Sequence, residues 1–155
     1  TRRSSDLATH FTIKLADFDA ELVLSGPDAI KQQLDILKNS DEKLSARDKG
    51  QIAIFEVVLE MLSRGYEFEA VDLYKSEASK FTIDNNKVLI PLRGLSGVGE
   101  TVANNIVEER KNGEFLSIED LVKRTKATKT NIQIFKKNNM VDKLPESNQL
   151  SLFNL

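Results

Sequence analysis

Two glycines separated by one valine, Gly97-Val98-Gly99, stand directly in front of an apolar helical repeat formed by Val102, Ala103, Ile106 and Val107. No other stretch constrains the fold as much. Glycine reaches backbone angles closed to other residues and leaves no side chain over neighbouring amides. A tight turn running straight into a helix therefore exposes consecutive N–H groups at a helix N-terminus, where partial positive charge favours an anion. Val98 is expected to point inward and pin the turn to the core. A Gly-x-Gly before a helix is also compatible with a tight loop and nothing more, so the flanking residues must decide.

Those flanks are informative. Arg93 precedes the turn, Ser96, Glu100 and Thr101 border the glycines, and Arg110-Lys111 follow the helix. A second helix is expected from Ser117, with Ser117 as N-cap and Asp120 three residues on, carrying Ile118, Leu121 and Val122. Ile132, Ile134 and Phe135 supply a further apolar set before Asn138-Asn139. Lys123, Arg124, Lys126 and Lys129 cluster around the turn between these last two helices. Each is equally explained as a solvated helix face. The formal charge of −2 conceals a split: residues 1–86 hold 11 Lys/Arg against 16 Asp/Glu, and residues 87–143 hold 11 against 7. A basic segment in an acidic chain points to a polyanion more clearly than whole-chain charge does. The expected guest of the Gly97/Gly99 turn is a DNA phosphate, a contact that positions a protein without reading sequence.

Upstream, Thr9 to Leu15 alternates, with Phe11, Ile13 and Leu15 on one side, and reads as a strand. Ile30, Leu34 and Leu37 predict a helix after Ser25-Gly26-Pro27. Ser45 with Asp48 predicts a capping box for a longer helix whose core stripe is Ile52, Phe55, Val58 or Leu59, and Leu62. Gly65 is placed to end it. Alternation between Tyr66 and Tyr74 suggests a strand, and Phe81 to Ile90 a hairpin turning at Asp84-Asn85-Asn86. The fold class is thus α+β: a mixed α/β portion over residues 1–86, a mostly helical hairpin domain over 87–143, and a flexible tail over 144–155. The chain has no cysteine, which excludes disulfides and Cys-based zinc sites. It has no apolar run near the ~20 residues that span a bilayer, so no membrane partner is expected and a cytoplasmic setting is the default.

The tail carries Gln149-Leu150-Ser151-Leu152-Phe153, and apolar residues gain nothing on an unpacked terminus. Leu152 and Phe153 suit an apolar pocket as anchors, with Gln149 fixing register. Folding back onto the chain's own domain is the alternative use of these residues.

Residues 92–107 resemble the helix-hairpin-helix family, and 117–141 resemble a degenerate second copy that has lost its glycines. Adding Ala8-Thr9-His10-Phe11-Thr12-Ile13, Arg64-Gly65-Tyr66, Val71 to Ser76, Asn112 to Ser117 and Gln149 to Phe153, the chain resembles the C-terminal end of the PolC-type DNA polymerase III alpha subunits. That resemblance implies a distal part of the polymerase fingers, then a domain for primer-template duplex DNA, then the pentapeptide by which such enzymes bind the β sliding clamp. It implies a parent DNA-directed DNA polymerase whose magnesium-binding aspartates lie upstream, so no catalytic residue, metal site or cofactor is expected here. A monovalent cation on the hairpin carbonyls is the one ion it admits. Partners would be duplex DNA, the clamp and the remaining polymerase domains. Residues 1–6 depart from the family pattern, Asn139 replaces a helix-ending glycine, and Asn154-Leu155 extend beyond the pentapeptide.

Two other readings account for part of this. As a helix-hairpin-helix module of a glycosylase or nuclease, the chain would offer Asp120 as an acid, although Ser117 makes it a first-turn helix charge. His10 is the only histidine, so two-metal hydrolysis has little to build on. A pure adaptor would bind the clamp and another protein without touching DNA. Neither accounts for hairpin and tail together.

Overall fold

A computed structural model describes residues 2–148 of the chain. They form two compact units, 2–70 with 80–90, and 71–79 with 91–148. The sequence division at 86/87 falls within a hairpin of the first unit, and residues 71–79 pack with the second.

The first unit contains α1 (Arg2–Ile13), α2 (Ala20–Leu24), α3 (Pro27–Lys38) and α4 (Ala46–Ser63). Three short strands, β1 (Phe68–Glu69), β2 (Thr82–Asp84) and β3 (Lys87–Leu89), pair in the order β1-β3-β2. β1 runs parallel to β3, and β2 antiparallel to it, with Asp84 opposite Lys87. The two-residue turn between them has Asn85 at φ 49° and Asn86 at φ 62°. Both angles are positive, as the tightest hairpin turn requires, and Asn tolerates them. Phe11, Phe18, Phe68 and Phe81 pack ring against ring at centroid distances from 4.9 to 5.7 Å. Phe11 and Phe81 are fully buried, and each such ring contributes about 1.5–3 kcal/mol. Thr12 ties helix to sheet, its Oγ1 accepting the Phe81 N–H at 2.9 Å.

The strand expected over 9–15 is a helix. Ser4, Ala8 and Phe11 are buried at helical spacing, while Ile13 is 75% exposed. The true period ran through a serine and an alanine, which an apolar count overlooks. The Tyr66–Tyr74 alternation yields only the two residues of β1, because Asp72 turns the chain by accepting the Tyr74 and Lys75 N–H groups, both at 2.9 Å. On α4 the buried face is Ile54, Phe55, Val58 and Met61, with Ile52 and Leu62 half-buried. The Ser45/Asp48 capping box is present, and the hydrogen bonds from the Ser45 side chain and then its backbone hold the Asp48 carboxyl below the usual carboxylate range. Gly65 ends α4 at φ 87°, with the Tyr66 N–H donating to Met61 O at 3.1 Å.

The second unit is built from α5 (Glu100–Glu109), α6 (Ile118–Thr125) and α7 (Lys129–Lys137), preceded by a 3-10 turn, Leu92–Gly94. Its core holds Leu92, Leu95, Val98, Ala103, Ile106, Phe115, Ile118, Leu121, Ile132 and Phe135. Asn139 sits at φ 59°, the left-handed angle for which Asn is the best substitute for glycine.

Residues 145–148, expected to belong to a flexible tail, are bonded to the second unit. Pro145 O accepts the Ile118 N–H at 2.8 Å and Glu146 O the Glu119 N–H at 3.1 Å. Glu146 also pairs with Lys136 at 2.7 Å, and Ser117 Oγ donates to Asn148 Oδ1. Pro145 and Glu146 thus satisfy two first-turn N–H groups of α6 and Ser117 Oγ a third, that of Asp120, groups which a helix cannot satisfy itself. The Gln149–Phe153 pentapeptide lies outside the described residues.

Candidate nucleic-acid interface

Leu95 to Val98 form a reverse turn closed by the Val98 N–H donating to Leu95 O at 3.2 Å. Gly97 occupies its third position at φ 90°, the angle a type II turn demands there. A Cβ on Gly97 would also lie 2.8 Å from Ile134 Cδ1. Val98 is 6% exposed and faces the core.

Gly99 is glycine for a different reason. It is the N-cap of α5 with φ −80° and ψ 169°, extended angles open to any residue. A Cβ there would meet nothing within 4 Å. No side chain caps α5, so its first-turn N–H groups are left without helix carbonyls and without a capping oxygen. Gly97, Gly99, Glu100 and Thr101 are all exposed around this opening, as is Ser96.

The turn between α6 and α7 matches the first at three successive positions, although its Ala127 N–H donates to Thr125 Oγ1 and not to a backbone carbonyl. Lys126 stands where Gly97 does, at φ 62°. Ala127 stands where Val98 does, 5% exposed. Thr128 stands where Gly99 does, at φ −84° and ψ 168°. One feature is reversed. Thr128 Oγ1 accepts the Asn131 N–H at 3.1 Å and Asn131 Oδ1 accepts the Thr128 N–H at 3.0 Å, so the second helix is closed by its own side chains. The first turn offers open amides; the second offers ammonium groups. Lys123, Lys126 and Lys129 are exposed.

The turns are joined by an exchange of amides. Asn131 Nδ2 donates to Gly97 O at 3.0 Å, and Asn105 Nδ2 to Thr125 O at 2.9 Å.

The arginines named from sequence are mostly engaged inside the unit. Arg110, with its side chain 13% exposed, donates to Ser76 O at 2.6 Å and Leu73 O at 3.2 Å, and so holds residues 71–79 in place. Arg124 donates to the carbonyls of Glu109, Gly113 and Glu114, pairs with Asp120 at 3.3 Å, and lies 4.4 Å over the Phe115 ring. Phe115 also stacks on Tyr74, whose hydroxyl accepts the Phe115 N–H at 3.3 Å. Burial pushes the Tyr74 phenol up from its ordinary value. Both guanidinium groups thus hold this unit together. Arg93 donates to Ser79 Oγ at 3.1 Å, and Lys111 pairs with Glu108 at 2.9 Å; both stay exposed. Asp120 accepts the Leu116 N–H at 3.0 Å beside its Arg124 pair, the arrangement of a first-turn helix charge.

Sequence reasoning missed Asn105 and Asn131, polar residues in helices whose signal was only their position opposite a turn. Among the described residues no group of His, Cys, Asp and Glu is arranged to hold a metal ion, and no helix is long and apolar enough to cross a membrane.

The helix-hairpin-helix motif family matches residues 65–150. Three relatives described as DNA polymerase III PolC-type resemble the chain over 94% of its length. That of Clostridium perfringens is 46% identical over 145 residues, that of Thermotoga maritima 43% over 146, and that of Bacillus subtilis 40% over 146. The chain spans 10–11% of the length of these relatives. The resemblance read from the residues is borne out.

Proposed function

Because the chain belongs to the helix-hairpin-helix family, we propose that it is a non-catalytic part of a replicative DNA polymerase that grips the backbone of the primer-template duplex. The observation that carries this is the uncapped start of α5, where Gly97 shapes the turn and Gly99 keeps the amides open. A phosphate oxygen there would accept the N–H groups that no carbonyl reaches. Lys123, Lys126 and Lys129 of the second turn would meet further phosphates as point charges, with Arg93 just before the first turn and Lys111 at the far end of α5 as further exposed cations. Such contacts read no sequence, as a polymerase that copies any template requires. A monovalent cation on the turn carbonyls belongs to the same reading. Leu95 O and Gly97 O each already accept one N–H, which leaves each a second lone pair for it.

In the same reading, which rests on the likeness to PolC-type polymerases, Gln149, Leu150, Ser151, Leu152 and Phe153 would bind the sliding clamp, and the chain would work in the cytoplasm with the other polymerase domains as partners. Leu152 and Phe153 would fill an apolar pocket on the sliding clamp. Magnesium and the chemistry of nucleotide addition would lie in other parts of such an enzyme.

Gly99→Thr tests the hairpin. It copies Thr128, whose hydroxyl closes the second helix, so the new hydroxyl should cap α5 and raise stability by a few tenths of a kcal/mol. The hydroxyl would take the Val102 N–H, as Thr128 takes that of Asn131, and the new side chain would cover the space beside the open amides and lower duplex affinity. Thermal melting and fluorescence anisotropy with labelled duplex should move in opposite directions. Unchanged affinity in a stabilised variant would sink the assignment.

A further inference from the structure

We infer that Asn131 is a positioning residue for the phosphate-binding turn, a role that rests on the duplex-gripping reading and deepens it. Its side chain is 5% exposed and every polar atom of it is used. Oδ1 accepts the Thr128 N–H and Nδ2 donates to Gly97 O, 34 residues away in sequence. That pattern also fixes which end of the carboxamide is which, since neither partner could exchange roles.

The bond to Gly97 falls on the peptide that governs the open amides. The Gly97–Val98 peptide is held at its N–H end by Leu95 O and at its carbonyl end by Asn131. Next along the chain come Gly99, Glu100 and Thr101, whose N–H groups face the opening. With both ends of the preceding peptide held, those N–H groups converge before a ligand arrives, so binding need not order them. Without Asn131, Gly97 O loses its donor and the peptide is held at one end only. Glycine at φ 90° then has the backbone freedom to rotate. The second turn, whose Thr128 and Asn131 N–H groups are taken by its own capping box, thereby sets the geometry of the first.

Two substitutions separate this role from simple helix capping. Asn131→Asp keeps the acceptor for the Thr128 N–H, because Asp serves in a capping box, but removes the donor to Gly97. Thr128→Ala removes the cap and keeps that donor. Duplex affinity of the full chain is measured by anisotropy well below each variant's melting temperature, with circular dichroism confirming helix content. Asn131→Asp should weaken binding about fivefold or more, the loss expected for one hydrogen bond. In the uncharged Asn131→Ser the slope of log affinity against log salt should be unchanged, since no phosphate-facing cation is lost and no anion is added. Thr128→Ala should melt earlier and bind as the parent does. If Asn131→Asp does not fold, Asn131→Ser, too short to reach Gly97, carries the same expectations. A folded donor-deficient variant that binds like the parent overturns the inference, and so does an equal loss in Thr128→Ala. A parent chain with no duplex affinity would overturn the hairpin reading, and this inference with it.

Discussion

At the scale of the residue, like side chains hold unlike posts. Gly97 is required by its backbone angle and by Ile134, whereas Gly99 is required only by the space it leaves. Arg124 and Lys126 are neighbours in a basic cluster, yet one guanidinium is folded among carbonyls and one ammonium is exposed. Arg124→Lys separates structure from charge at that position. Lysine cannot reproduce the planar fork that serves several acceptors, so stability should fall by about 1–3 kcal/mol in urea unfolding. The formal charge is kept, so the salt dependence of duplex binding should keep its slope. A reduced slope would return Arg124 to the phosphate-facing set.

At the scale of the element, the two turns show how one backbone geometry supports two chemistries. The same angles recur at Gly99 and Thr128, and a single hydroxyl decides whether the helix start is open or closed. The closed turn depends on its lysines. Replacing Lys123, Lys126 and Lys129 together by Gln should weaken binding about equally for all duplex sequences. It should lower the salt slope by about one for each lysine that meets a phosphate. A slope unchanged by the triple replacement would mean that these side chains only keep a helix face wet. The helices themselves were largely legible, because capping boxes and left-handed stops are local. The strands were less so: the first alternating run is a helix whose buried face includes Ser4 and Ala8, and the second is cut short by Asp72.

At the scale of the whole molecule, the described residues bring the chain up to the pentapeptide along an ordered path. Pro145 and Glu146 cap α6, so a clamp held by Gln149–Phe153 would be tethered close to the duplex-binding unit, which raises the effective concentration of one partner for the other. The chain should bind a purified bacterial sliding clamp with micromolar-range affinity, and Leu152→Ala with Phe153→Ala should abolish it, as read by surface plasmon resonance. Clamp binding that survives the double substitution would assign it to another surface. What the sequence by itself determined is what local physics encodes: the Gly97 turn, the buried Val98, the caps at Ser45 and Ser117, the Asn85-Asn86 hairpin and the apolar faces of most helices. What only tertiary structure decided is which polar groups are already satisfied. Arg110, Arg124 and Asn131 meet carbonyls distant in sequence, and whether a donor is free for a ligand depends on neighbours that only the folded chain brings into reach.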